Sequence, residues 1–80
     1  MMKVNLLAVS IGNTHTRLGA FVEGELVETV ASINPHDGEI GDALEQAVGP
    51  LRKKDDTAVL LSSVNPSVCP LVVARIREHL

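Results

Sequence analysis

Aromatic side chains are almost missing from this sequence: Phe21 stands alone, with no Trp and no Tyr in 80 residues. A core must therefore be assembled from Val, Leu, Ile and Ala, each of which buries less area than a ring. A chain of this length has room for one domain, 1–80, near the lower limit for independent stability. Cysteine is scarce as well. Cys69 cannot form an internal disulfide, which excludes a disulfide-stapled secreted scaffold and makes a reducing compartment, the cytoplasm, the expected location. Basic charge is low, with 7 Lys and Arg against 10 Asp and Glu. The one cluster, Arg52-Lys53-Lys54, is cancelled by Asp55-Asp56 and reads as a solvated helix end, so neither nucleic acid nor an anionic membrane is an expected partner. No apolar run nears the roughly 20 residues that a membrane-crossing helix needs. Lys3 and the run ending in Ala8-Val9-Ser10 mimic a signal peptide, but that run is too short and Asn5 interrupts it.

What is present is a succession of short patterned segments. Val4 to Ile11 is nearly continuous in apolar residues, which suits a strand buried on both faces, and it stops at Gly12-Asn13-Thr14. Thr16 to Val22 reads as a second strand. Glu23-Gly24 punctuates the chain before a third, Leu26 to Ile33, whose alternation sets Leu26, Glu28, Val30 and Ser32 against Val27, Thr29, Ala31 and Ile33. Asn34-Pro35-His36-Asp37-Gly38 is dense in turn formers, and Asp37 is placed to cap a helix starting near Gly38. Ile40, Ala43, Leu44, Ala47, Val48 and Leu51 recur at helical steps, and Gly49-Pro50 ends or kinks that helix. Ala58 to Leu61, continuing into Ser62-Ser63-Val64, reads as a buried fourth strand. Beyond Asn65-Pro66, Ser67 is positioned to cap a second helix with Val68, Leu71, Val72, Ile76 and Leu80 as its stripe. Pro70 is tolerated in its first turn.

The order β-β-β-α-β-α defines an α/β fold in which a meander precedes a helical crossover, with the fourth strand parallel to the first. That is most of a ribonuclease H-like (actin-like ATPase) layer. Such a core has five strands, so the sheet is expected to be incomplete, with an exposed edge, and the chain to be the N-terminal part of a larger domain.

The segment richest in chemistry is the turn Ser10-Ile11-Gly12-Asn13-Thr14-His15-Thr16-Arg17-Leu18-Gly19. Gly12 lets backbone approach a ligand, Asn13 tolerates positive φ, and Thr14 and Thr16 set hydroxyls beside consecutive backbone N–H groups. A phosphate fits such a ring of donors, although ordinary hairpins share the same residue pairs and bind nothing. Ile11-Gly12-Asn13-Thr14 through Gly19 resembles the Asp-x-Gly-Asn-Thr-x-x-x-x-Gly signature of type III pantothenate kinases in the actin/Hsp70/sugar-kinase superfamily. Glu23-Gly24-Glu25-Leu26 is similar to their second hairpin turn, and Ser62-Ser63-Val64-Asn65-Pro66 to the Ser-Ser-Val-x-Pro that ends their fourth strand.

The resemblance implies ATP-dependent phosphorylation of pantothenate, the entry to coenzyme A, with Mg²⁺ and a monovalent cation (K⁺ or NH₄⁺) as helpers and a homodimeric full-length protein. It implies that Gly12, Asn13 and Thr14 cradle the ATP phosphates and that position 10 holds the metal through its water shell. The family has Asp there. This chain has Ser10, a neutral hydroxyl that Mg²⁺ binds far less readily. The family's Gly-x-Asp-Arg segment, which resembles a general base and a pantothenate clamp, is absent from these residues, so the chain alone is expected to be inactive. The competing expectation is a catalytically silent relative acting as a binding or regulatory module. A third is an interaction domain pairing through its open sheet edge.

The remaining candidates read as structural. His15, His36 and His79 lack metal-ligand spacing and are expected in solvent. Cys69 is a small apolar filler rather than a reactive thiol. Asp55 and Asp56 read as a polar surface loop.

Overall fold

A computed structural model describes residues 4–34, 37–52, 54 and 56–79, the side chain of Asp37 apart. The elements run β1 (Leu6–Ile11), β2 (His15–Val22), β3 (Glu25–Ile33), α1 (Asp37–Val48), a 3₁₀ turn at Gly49–Leu51, β4 (Ala58–Ser63) and α2 (Cys69–His79). They form a four-stranded mixed sheet in the order β3-β2-β1-β4, with β1 antiparallel to β2, β2 antiparallel to β3, and β4 parallel to β1. The structure is thus an α/β fold. No described helix is long and apolar enough to cross a membrane.

One face of the sheet carries the core. Leu7, Val9 and Ile11 of β1 and Leu18 and Ala20 of β2 pack against Ile40, Leu44 and Val48 of α1 and Val72 and Ile76 of α2. The helical spacing of Ile40, Ala43, Leu44, Ala47 and Val48 puts all five on the buried side of α1, as their periodicity predicts. Pro50 enters the 3₁₀ turn, where its missing N–H costs nothing, and Leu51 closes the core behind it. Glu45, on the solvent side, pairs with Arg52 and lies 3.2 Å from His79 Nε2. His79 also meets the Arg75 carbonyl at 2.8 Å, so it is tied to the helix surface rather than left in solvent.

The first strand is buried on one face only: Leu6, Ala8 and Ser10 look away from the helices and are covered by neither. Its partner β4 is an edge strand rather than a buried one, with Val59 43% and Leu60 64% exposed, because among the described residues only β1 flanks it. In β3 the alternation breaks at a bulge opposite Ala20/Phe21, where Leu26 pairs with Phe21 but Glu28 pairs with Ala20. The extra residue, Val27, turns Leu26 onto the open face with Thr29 and Ala31, away from Glu28, Val30 and Ser32. The cap of α2 is Asn65 and not Ser67: Asn65 Oδ1 accepts the Val68 N–H at 3.3 Å, and its carbonyl accepts those of Val68 and Cys69. Cys69 packs partly buried against the core as a filler. The expected cap at Asp37, and Pro35, His36, Lys53, Asp55 and Leu80, lie outside the described residues or side chains.

The end of the sheet away from the Gly12 turn is fastened by Asn5. Its Oδ1 accepts the Glu23 N–H at 3.0 Å, its Nδ2 donates to Asp56 at 2.9 Å, and its carbonyl accepts the Ala58 N–H. One buried amide therefore joins the β2–β3 turn to the entry of β4, and Asp56 is a fastening partner rather than a free loop carboxylate. In that turn Glu23 has φ 52° and Gly24 φ 85°. Positive φ at both central residues suits Asn-Gly far better than Glu-Gly. Glu23→Asn is expected to stabilise the fold by about 1 kcal/mol, read as a raised urea midpoint at unchanged slope.

Candidate functional site

Strand alternation decides which hydroxyls of the β1–β2 hairpin face out. Thr16 shares the inner face of β2 with Leu18 and Ala20 and is fully buried, while Thr14 and Asn13 sit exposed at the tip. The Thr16 hydroxyl donates to Asn34 Oδ1 at 2.6 Å, and Asn34 Nδ2 donates to the Gly12 carbonyl at 2.8 Å. Asn65 Nδ2 approaches the same carbonyl at 3.4 Å, and the Asn34 N–H bonds the Thr14 carbonyl at 2.8 Å. The tip is thus held from beneath by two asparagines belonging to the ends of β3 and β4. Thr16 is part of that brace, not the phosphate-facing donor expected from the sequence.

Gly12 and Asn13 also differ in detail from their sequence reading. Neither has positive φ; among the described residues that conformation occurs only at Glu23 and Gly24. What Gly12 supplies is room. Its N–H donates to the His15 carbonyl at 2.8 Å, and a Cβ there would stand 3.2 Å from that oxygen, so glycine lets the turn close on itself. The amide N–H groups of Asn13 and Thr14 make no hydrogen bond among the described residues. Thr14 Oγ1 is 2.9 Å from His15 Nδ1. Two free, adjacent backbone donors and a hydroxyl on a braced tip are a donor set for an oxyanion.

Beside the tip, the open face of the sheet carries one polar row. Ser10 pairs across β1–β2 with Arg17 and across β1–β4 with Ser62, so the three stand abreast on neighbouring strands, all exposed. They form the polar end of a solvent-open trough of about 710 Å³ whose apolar part includes Ala8, Phe21, Leu26 and Leu60. Gly19 lowers the floor there, since a Cβ would sit 3.3 Å from Leu26 Cδ1. Of the sequence-derived candidates, the fold thus brings Ser10, Gly12, Asn13 and Thr14 to one end of the sheet. No motif marks Arg17 or Ser62 as a site residue, although the period-two pattern of β2 signals that Arg17 faces out with His15 and Gly19.

No group of His, Cys, Asp or Glu suited to a metal ion occurs among the described residues. Comparison with known proteins returns nothing: no protein-family model matches the chain, and neither a curated protein nor a solved structure matches it significantly.

Proposed function

We propose that this chain supplies the phosphate-binding hairpin of an ATP-dependent kinase resembling the type III pantothenate kinases, on a sheet of the ribonuclease H-like kind. The observation that carries the reading is the pair of N–H groups at Asn13 and Thr14 that have no partner among the described residues, held by Asn34 and Asn65 beside the carboxyl ends of the parallel strands β1 and β4. Ligands of open α/β sheets bind at that end. The ATP phosphates fit this donor set: Asn13 and Thr14 give backbone hydrogen bonds, Thr14 adds its hydroxyl, and Gly12 keeps the turn tight enough to aim them. In phosphoryl transfer to an alcohol such as pantothenate, positioning and charge neutralisation carry most of the rate. This hairpin contributes the positioning.

Mg²⁺ does not fit the residues present. Ser10 offers a neutral hydroxyl and its neighbour across the ladder is a guanidinium, whereas Mg²⁺ takes carboxylate oxygens. No described residue is assigned to K⁺ or NH₄⁺. Ser10 in place of the family's Asp also favours, as a second reading, a binding or regulatory module that retained the nucleotide and lost turnover. In either case the protein is read as cytoplasmic, with homodimerisation belonging to the full-length kinase.

Backbone amide NMR tests the phosphate site. Adding ATP is expected to move the Asn13 and Thr14 resonances, with Gly12 following, while Glu23 and Gly24 at the opposite end of the sheet stay put. Silence at the tip in saturating nucleotide rejects the reading.

A further inference from the structure

An unpaired cation on an apolar face needs a partner. Arg17 makes no hydrogen bond or ion pair among the described residues, and no Asp or Glu lines the trough it borders. Its ladder neighbour on β3 is Ala31, and on β1 it is Ser10, itself abreast of Ser62. The cation is therefore flanked by the Ser10 hydroxyl and the Ala31 methyl group, with the Ser62 hydroxyl one strand beyond Ser10. None competes with a ligand anion for the guanidinium, and both hydroxyls donate to one. Three residues beyond Ser10, past the end of β1, the hairpin tip presents the Asn13 and Thr14 amides.

We propose that Arg17, with Ser10 and Ser62, is an oxyanion subsite that supplies by a fixed guanidinium the positive charge that a metal ion would otherwise bring, so that polyphosphate binds this hairpin without divalent cations. The inference rests on the reading of the tip as a phosphate site and adds the charge that neutralises the ligand. A guanidinium suits the task because its planar fork matches phosphate oxygens and it keeps its charge at every accessible pH. The pairing explains both unusual residues together. Asp at position 10 beside Arg17 would form an internal ion pair and cancel the site, whereas serine leaves Arg17 free and adds a donor.

The experiment is calorimetric titration of the protein with tripolyphosphate and with ATP, each in EDTA and in excess Mg²⁺. Both ligands are expected to bind in EDTA, and Arg17→Gln is expected to weaken that binding about tenfold or more, the worth of one charge-assisted contact. Arg17→Lys keeps the charge but loses the fork and is expected to fall between. Ser10→Asp is expected to lower metal-free binding as its carboxylate pairs with Arg17. All of these positions are exposed, so circular dichroism should show each variant folded. Binding of ATP that requires Mg²⁺ and ignores Arg17→Gln overturns this inference and leaves the phosphate hairpin standing. Arg17-dependent tripolyphosphate binding with no ATP binding supports the subsite and rejects the nucleotide reading. Failure of both ligands in all conditions overturns both.

Discussion

Leu44→Ala is expected to remove most of the folding stability at room temperature. Leu44 is fully buried at the middle of the apolar stripe of α1, in a core that holds no aromatic ring among the described residues. Truncating a buried leucine costs about 2–5 kcal/mol, the upper part of the range applying where neighbours cannot close the gap. The core it belongs to is rich in short residues, Ala20, Ala43 and Ala47 among them, which lack the reach to refill such a space. A domain this small holds a stability near the low end of about 5–15 kcal/mol, so one such cavity consumes much of it. Urea unfolding followed by circular dichroism should show the midpoint falling towards zero denaturant. A midpoint within about 0.5 M of the parent, at the usual slope of about 1 kcal/mol per M for a small domain, would mean that α1 is not the keystone of the core.

The distribution of legible and illegible features follows from the range of the interactions involved. The stripe Ile40 to Leu51 could be read from the chain because a helix is written in spacings of three and four, and burial merely reveals it. The stop at Gly49-Pro50 is equally local. The bulge at Val27 is not, since it exists only relative to Ala20 and Phe21 on another strand, and it reverses the face of Leu26 without any mark in the composition of β3. Likewise Ala58–Ser63 has the composition of a central strand yet lies at the edge, because composition reports what a strand tolerates and not what flanks it.

At the site, Gly12-Asn13-Thr14 is visible in the sequence as a turn with donors, but setting the Thr16 hydroxyl beside them overlooks the period-two alternation that sends Thr16 inward and Arg17 outward. The braces were hidden. Asn34 and Asn65 look like ordinary turn residues and Asn5 like a polar interruption of an apolar run, yet each bonds a backbone or side-chain group at least 18 positions away. Arg17 acquires its interest only once the ladder places Ser10 and Ser62 in line with it.

Asn34→Ala should loosen the hairpin tip and the fold together, and the reason can be isolated. The variant deletes the acceptor of the Thr16 hydroxyl and one donor to the Gly12 carbonyl. Thr16 is fully buried, so its hydroxyl would have nowhere to donate, and an orphaned buried polar group costs about 1–3 kcal/mol. Adding the lost bond to Gly12 brings the expected destabilisation to about 2–4 kcal/mol. Thr16→Val alone removes the donor but leaves Asn34 half-buried, with water able to serve its oxygen, and should cost about 1 kcal/mol. The double variant carries no orphaned hydroxyl. It should therefore be more stable than the sum of the single losses by about 1 kcal/mol or more, the signature of two groups in one network. Additive losses would show that the 2.6 Å contact contributes nothing specific. Tip chemistry gives an independent readout: with the Gly12 carbonyl released, amide exchange at Asn13 and Thr14 and any anion affinity there should change even in conditions where the Asn34→Ala protein remains folded. Thr16→Val, which leaves the Asn34 bond to Gly12 in place, should disturb the tip much less.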